Sequence, residues 1–165
     1  MKRFFCGLII ALTAALAFTS CNKDDFNTGT YVMYEPITDW GISKSEVRSY
    51  MKGMSEWKED KDSEDAGELT YLNKVSNAHM RFEFNKSAEL NMSSVTYYGN
   101  NDKFQQMKDD WGKKLNLEWK ENVVEGIHFF SARCEKIASD VIVQYNGTDN
   151  FEYMTVSFNS YDYPL

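Results

Sequence analysis

Apolar residues between positions 40 and 160 recur with two periods, one typical of helices and one typical of strands. Ser43 stands just before apolar residues at helical spacing, and Glu46 three residues later completes the pattern of a capping box. A second helix is predicted to begin at Asp102, which can act as its N-cap. The apolar stripe of that helix consists of Phe104, Met107, Trp111 and Leu115.

Strand-like runs follow each predicted helix. In the clearest of them, Met80, Phe82 and Phe84 alternate with polar residues, which is the period of a strand with one buried side. The predicted strands are Glu68–Asn73, Met80–Asn85 and Leu90–Tyr98 after the first helix, and Leu117–Lys120, Ile127–Arg133, Ala138–Tyr145 and Glu152–Asn159 after the second.

The two halves of the chain share this pattern. A shift of 61 residues places Met80 and Phe82 on Val141 and Val143. Short turns between consecutive strands favour antiparallel pairing. We therefore predict an α+β domain over residues 36–165, made of two tandem helix–strand–strand–strand repeats at about 36–99 and 100–165. Six or seven strands would form one antiparallel sheet with both helices on one face.

Strand alternation predicts the composition of the opposite face as well. Its residues should be Arg81, Glu83, Thr96, Tyr98, Gln144, Tyr153 and Thr155. We expect this face to be exposed to solvent. Five of these residues form the candidate partner-binding face, and the partner would be a protein or a glycan, because exposed tyrosines are frequent hot spots. They are Arg81, Glu83, Tyr98, Gln144 and Tyr153.

The predicted architecture resembles the fold of the β-lactamase-inhibitor proteins. That family has a tandem helix-plus-sheet repeat with an open concave face. The resemblance covers about residues 40–160 and is one of architecture, without a family-specific sequence motif. It implies that the polar face of the sheet is the one available to a partner.

The first twenty residues have the composition of a secretory signal. Met1-Lys2-Arg3 precedes an apolar run over residues 4–18, which is short for a transmembrane helix of about 20 residues. An uncleaved N-terminal anchor is the alternative. No later segment of the sequence is apolar for long enough to cross a bilayer.

The residues around Cys21 resemble the lipobox of bacterial lipoproteins, in which a peptidase cuts just before a cysteine that carries a diacylglycerol. The stretch is Phe18-Thr19-Ser20-Cys21, with Phe18 where the family prefers Leu. The next residues, Asn22-Lys23-Asp24-Asp25, resemble the surface-export signal of Bacteroidota lipoproteins. The resemblance implies a signal peptide at 1–20, lipid attachment at Cys21, a flexible tether over 21–35, and an outer-membrane location on the cell surface. Two acyl chains suffice for stable anchoring.

The charge of the chain bears on its partners, and its cysteine content bears on disulfide formation. Cleavage at Cys21 would leave 16 basic and 25 acidic residues, a formal charge of −9, so nucleic acid is not an expected partner. Cys6 leaves with the signal and Cys21 carries lipid. Cys134 then remains as a single thiol, and no internal disulfide is expected.

The sequence shows no pattern typical of a catalytic or metal site. His128 and Cys134 would stand about 20 Å apart on one strand, too far for a catalytic pair. His79 and His128 lack zinc-ligand spacing. The acidic loop at residues 60–65 has Asp65 where a calcium-binding EF-hand loop needs glycine. We predict no cofactor and no metal.

Three functions remain as hypotheses. The first is a non-catalytic binding module on the cell surface that uses the polar sheet face. The second is an accessory or assembly lipoprotein that faces the periplasm. The third is a small hydrolase that uses a carboxylate pair, such as Glu83 with Glu152 or with Asp140.

Overall fold

The structure is a computed structural model that describes residues 31–61, 67–99, 101–124, 127–148 and 151–163. Cys21, the predicted signal peptide and most of the acidic loop lie outside these residues. In chain order the elements are α1 (Lys44–Met51), β1 (Lys58–Glu59), β2 (Glu68–Asn73), β3 (Ala78–Phe84), β4 (Leu90–Tyr98), α2 (Phe104–Leu115), β5 (Lys120–Val124), β6 (Ile127–Cys134), β7 (Ser139–Thr148) and β8 (Phe151–Ser160).

All eight strands belong to one antiparallel sheet. The strand order is β1-β2-β3-β4-β8-β7-β6-β5. Each half of the chain therefore contributes four consecutive strands, and the halves meet where β4 pairs with β8. The α+β class and the antiparallel sheet are confirmed. The prediction of six or seven strands was wrong, because it missed the two-residue edge strand β1.

The hydrophobic core lies on one face of this sheet. Phe82 on β3, Val95 on β4 and Val156 on β8 are fully buried in it. Val47 and Met51 of α1 and Met107 and Trp111 of α2 belong to the same cluster of buried side chains. We call this side of the sheet the apolar face. The residues that alternate with its members point to the other side, which we call the polar face.

Helix α1 begins as the sequence predicts. The Ser43 hydroxyl accepts from the backbone N–H of Glu46 at 3.4 Å, and the Glu46 carboxylate accepts from the backbone N–H of Ser43 at 2.8 Å. These two bonds form the capping box, which satisfies two donors that a helix start leaves open. The same contacts lower the pKa of the Glu46 carboxyl, first through the backbone bond and then through the Ser43 side chain.

The start of helix α2 differs from the prediction. Asn101–Lys103 forms a 3₁₀ turn, and the N-cap is Lys103, which makes no side-chain capping bond. Asp102 instead lies 2.8 Å from the ammonium group of Lys103. The apolar stripe is confirmed for Met107 and Trp111, which are buried, and the Trp111 ring packs edge-on against Phe158 at 4.9 Å.

The strand predicted at Leu117–Lys120 is also wrong. The backbone N–H of Leu117 returns to the carbonyl of Gly112 at 2.9 Å, and the Trp119 indole donates to the carbonyl of Lys108 at 3.2 Å. Both residues therefore finish the C-terminal end of α2 instead of pairing in the sheet. The strand β5 begins only at Lys120.

The N-terminal segment packs on the domain from Tyr31 onward. The Tyr97 hydroxyl donates to the carbonyl of Val32 at 3.0 Å and accepts from the backbone N–H of Tyr34 at 3.2 Å. The Tyr34 ring meets Trp57 edge-on at 5.0 Å. Residues 31–35 are thus part of the packed structure, whereas the sequence placed them in a flexible tether.

Candidate functional site

The polar face brings together the five residues predicted for partner binding. Arg81 and Glu83 lie on β3, Tyr98 on β4, Tyr153 on β8 and Gln144 on β7. These four strands are adjacent in the sheet. Each residue alternates with a member of the core cluster, so all five point to the side opposite that cluster.

The predicted exposure of these five side chains was wrong. Tyr98 is 3 % exposed, Tyr153 6 %, Glu83 7 % and Gln144 7 %, and the Arg81 side chain is 13 % exposed. Part of the reason is their position on inner strands, where neighbouring side chains cover one another. The Tyr98 ring, for example, lies 4.7 Å from the His79 ring and 6.2 Å from the Tyr153 ring.

Small hydroxyl side chains line the middle of the polar face. Thr96 pairs with Thr155 across β4 and β8, and Ser94 pairs with Ser157 one row further along. The two threonine hydroxyls are 3.0 Å apart and share a hydrogen bond. We call these four residues the hydroxyl furrow, because larger side chains stand on the strands to either side. The flanking residues are His79 and Arg81 on β3 and Ile142 and Gln144 on β7.

Aromatic rings close one end of the hydroxyl furrow. Tyr98 and Tyr153 form a cross-strand pair, and the Tyr153 hydroxyl accepts from the amide of Asn146 at 3.2 Å. His79 joins them through its contact with Tyr98. Burial lowers the pKa of His79 to about 4, against a smaller opposing effect of Asp60. The imidazole is therefore neutral at physiological pH, and its ring packs against Tyr98 as an aromatic side chain.

A charged cluster borders the hydroxyl furrow on the β3 side. The Arg81 guanidinium forms ion pairs with Glu68 and, at 3.1 Å, with Glu83. Burial raises the pKa of the Glu83 carboxyl, Arg81 partly opposes this, and Glu68 adds to it. Two carboxylates thus compete for one cation at a place where little water is available to stabilise their negative charges.

The carboxylate pairs proposed for a hydrolase do not meet. Glu152 is exposed and alternates with Tyr153, so it points away from the polar face, where Glu83 lies. Asp140 is on the polar face, in the same cross-strand row as Glu83 but three strand spacings away. That is about 14 Å, beyond the roughly 5–9.5 Å that separates the two carboxyl groups of most glycosidases.

The remaining chemical side chains are also separated. His128 is exposed and lies 3.1 Å from the carboxylate of Glu121. Cys134 is a free, buried thiol at the far end of the same strand. Within the described ranges, no group of three or more His, Cys, Asp or Glu residues is arranged to hold a metal ion.

Sequence reasoning missed several residues of this site. His79 and Ser94 are two residues from Arg81 and Thr96 respectively, so strand alternation places them on the polar face too. His79 was left out because β3 was predicted to start at Met80, whereas it starts at Ala78. Glu68 was missed because its ion pair with Arg81 depends on the pairing of β2 with β3.

Neither a protein-family model, nor a curated protein, nor a solved structure matches this chain. Neither helix of the described residues has the length and hydrophobicity that a transmembrane span requires.

Proposed function

We propose that this protein is a lipid-anchored, non-catalytic binding module of the outer membrane, displayed on the cell surface through Cys21. The lipobox-like stretch before Cys21 and the export-like residues after it support the address. The polar face, with the hydroxyl furrow at its centre, is the proposed binding surface for a protein or a glycan.

The observation that carries the binding role is the kind of side chain that the polar face holds at low exposure. Burying charged and hydroxyl groups costs stability unless every one of them is well paired. Arg81 with its two carboxylates and the furrow residues are held nonetheless at 13 % exposure or less, apart from the 18 % of Glu68. An apolar face of the same size would stabilise the sheet more. Ionisable groups kept at such a cost, some with shifted pKa values, are typical of functional surfaces.

The chemistry of the polar face fits a partner with many hydroxyl or amide groups. Tyr98 and Tyr153 offer ring surfaces, Gln144 offers an amide, and Arg81 and Glu83 offer charge-assisted hydrogen bonds. Glycans and extended peptides both present alternating apolar and polar groups that such a surface can contact. Because the tyrosines are only 3 % and 6 % exposed, binding must be accompanied by greater access to this face.

A tandem duplication accounts for the architecture. We infer that α1 with β1–β4 and α2 with β5–β8 are two copies of one unit, with both helices over the apolar face. The equivalent strands β4 and β8 pair at the centre, which supports this inference. So does the shared core cluster of the two helices. The likeness to the β-lactamase-inhibitor fold remains part of the same proposal.

The binding role is tested with leucine substitutions at the two tyrosines. We expect Tyr98→Leu and Tyr153→Leu each to weaken binding to envelope proteins or to a panel of surface glycans, because each removes a ring from the proposed contact. Tyr50→Leu is the matched control, since Tyr50 is 52 % exposed on helix α1, away from the polar face.

Thermal melts must show that both variants are folded at the assay temperature. Tyrosine nitration with and without the bound partner then reports access to the polar face. If the folded variants bind as the unaltered protein does, the polar face is not the binding surface.

A further inference from the structure

Exposed apolar side chains collect at one end of the sheet. Five large apolar side chains of the described residues are exposed, and four of them lie at the end where β2 turns into β3 and β5 turns towards β6. They are Val32, Val75, Val123 and Tyr145, with exposures of 45, 86, 55 and 40 %. We call these four residues the hairpin-end patch. The fifth, Tyr50, is on helix α1.

Strand register places the members of the hairpin-end patch along the same end of the sheet. Asn73, Ala78, Tyr97, Met154 and Tyr145 form one continuous cross-strand row. Val75 is in the turn just beyond Asn73, and Val123 pairs with His128 near the end of β5. Tyr97 belongs to this row, and its hydroxyl donates a hydrogen bond to the carbonyl of Val32. From β2 to β5 the row spans six strand spacings, or about 29 Å.

The N-terminal segment reaches the domain at this same end. Tyr31 packs edge-on against Tyr97 at 5.2 Å, so the chain that leads back to Cys21 departs from the hairpin end. The ten Cα–Cα steps from Cys21 to Tyr31 span at most about 36 Å when the chain is fully extended. The longest strands, β7 and β8, have ten residues each and are about 34 Å long. A domain turned with its other end towards the bilayer would therefore need a nearly straight tether along the whole sheet.

We propose that the hairpin-end patch rests on the lipid surface to which Cys21 is anchored. This inference depends on the proposed lipid attachment. Among the described residues at this end, the exposed charges balance, since Lys74 and Lys103 stand against Asp102 and Glu152, and we therefore infer an apolar contact. Valine and tyrosine side chains at such tips gain free energy when they leave water for the interface between headgroups and acyl chains. The opposite end, with the turn at residues 85–89, faces away from the membrane.

The test uses a fluorophore that emits strongly in an apolar environment, attached to a cysteine in place of Val75. The lipidated full-length protein, in a Cys134→Ser background, is reconstituted into phosphatidylcholine vesicles that contain a headgroup-spin-labelled lipid. We expect a blue-shifted emission that the spin label quenches and that salt does not change. Lys86→Cys, exposed in the turn at the opposite end, is the matched control and should give solvent-like, unquenched emission.

The outcomes separate this inference from the lipid anchor. Incorporation of a radioactive fatty acid at Cys21 is measured on the same samples. If Cys21 is lipidated and position 75 behaves like position 86, the contact is wrong while the anchor stands. A shifted emission without quenching means that the patch contacts protein, which also overturns the proposal. Absence of fatty acid on Cys21 overturns both.

A second variant checks that the patch acts as a unit. The fluorophore is moved to Val123→Cys, and Val75→Asp is introduced in the same chain. Since both positions are exposed, neither change should unfold the domain. We expect the charge at position 75 to reduce the lipid quenching at position 123. Unchanged quenching would show that Val75 takes no part in the contact.

Discussion

His79 illustrates how its surroundings decide the charge of a single side chain. His79 lies two residues from Arg81 on the same strand, and its ring contacts the ring of Tyr98. Burial lowers the pKa of His79 to about 4. In the unfolded chain the same imidazole has an ordinary value of 6.5. As the pH falls from 6.5 towards 4, the unfolded chain therefore takes up the proton before the folded protein does.

This difference predicts a pH-dependent loss of stability. Between about pH 6.5 and 4, protonation of the unfolded state at this site should remove about 3 kcal/mol from the free energy of unfolding. Glu83 and Asp140 act in the opposite direction, because burial raises the pKa of each and the folded protein then binds their protons first. The contribution of His79 is therefore measured as a difference between variants.

The variant His79→Phe keeps a ring beside Tyr98 and removes the titrating group. Urea unfolding at several pH values should show that the unaltered protein loses stability relative to this variant on acidification. His128→Phe, at an exposed site, controls for the change of residue type. A constant difference between the two proteins from pH 7 to pH 4 would contradict the assignment.

Side-chain direction could be predicted from the sequence at the residue scale, whereas exposure could not. Alternation along a strand is a local property, so Arg81, Tyr98 and Gln144 were placed on the correct side of the sheet. Exposure depends on which distant residues lie beside each side chain. The contact of Tyr98 with His79 and Tyr153 comes from three different strands, and no local pattern specifies it.

The two helices show where local signals are sufficient at the element scale. The capping box of α1 involves residues only three positions apart, and it was predicted correctly. Asp102 has the same residue type as a good cap, but the 3₁₀ turn at Asn101–Lys103 places it outside the capping position. Likewise, Leu117 and Trp119 look like strand residues but are held by the end of α2.

These two helix starts predict different losses of stability for similar substitutions. Ser43→Ala should lower the free energy of unfolding by about 1 kcal/mol, since it removes a cap that satisfies a backbone donor. Asp102→Ala should change it by no more than about 0.5 kcal/mol, because Asp102 is exposed and its ion pair is with a neighbouring surface lysine. Denaturant unfolding of the two variants side by side makes the comparison. Equal losses would mean that Asp102 caps α2 in solution.

One hydroxyl group makes two hydrogen bonds to the backbone of the N-terminal segment. Tyr97 both donates to Val32 and accepts from Tyr34, and burial raises the pKa of this phenol well above its usual range. Tyr97→Phe should therefore loosen residues 31–35 while leaving the ring in the core. We expect a loss of about 1–3 kcal/mol in stability and faster amide hydrogen exchange at Tyr34.

The matched control for Tyr97→Phe is Tyr153→Phe, which removes a hydroxyl bonded to a side chain far from this segment. It should leave exchange at Tyr34 unchanged. If Tyr97→Phe also leaves that exchange unchanged, the two hydrogen bonds do not hold the segment in solution.

At the scale of the whole molecule, the sheet is built from two four-strand meanders, β1–β4 and β5–β8, and the last strands of the two, β4 and β8, pair with each other. The 61-residue shift seen in the sequence places Val95 on Val156 and Met80 on Val141. In the sheet, Val95 pairs with Met80, whereas Val156 pairs with Val143. The two halves therefore differ in register by two residues. A difference of two keeps every side chain on its face, so the two halves show the same alternation in the sequence although their pairing differs.

The cellular location of the protein distinguishes the surface-binding role from the periplasm-facing accessory role. If Lys23-Asp24-Asp25 directs export to the cell surface, protease added to intact cells should remove the protein from the membrane fraction. Cleavage is expected in the tether rather than in the packed sheet, because proteases need locally unfolded chain.

Replacing these three residues by alanine should leave Cys21 lipidated but retain the protein on the periplasmic side, where it is spared. Disruption of the outer membrane should then expose it to the same protease, which shows that the variant is still cleavable. If the unaltered protein is spared on intact cells and digested only after disruption, it faces the periplasm, and the accessory role replaces the surface-binding role.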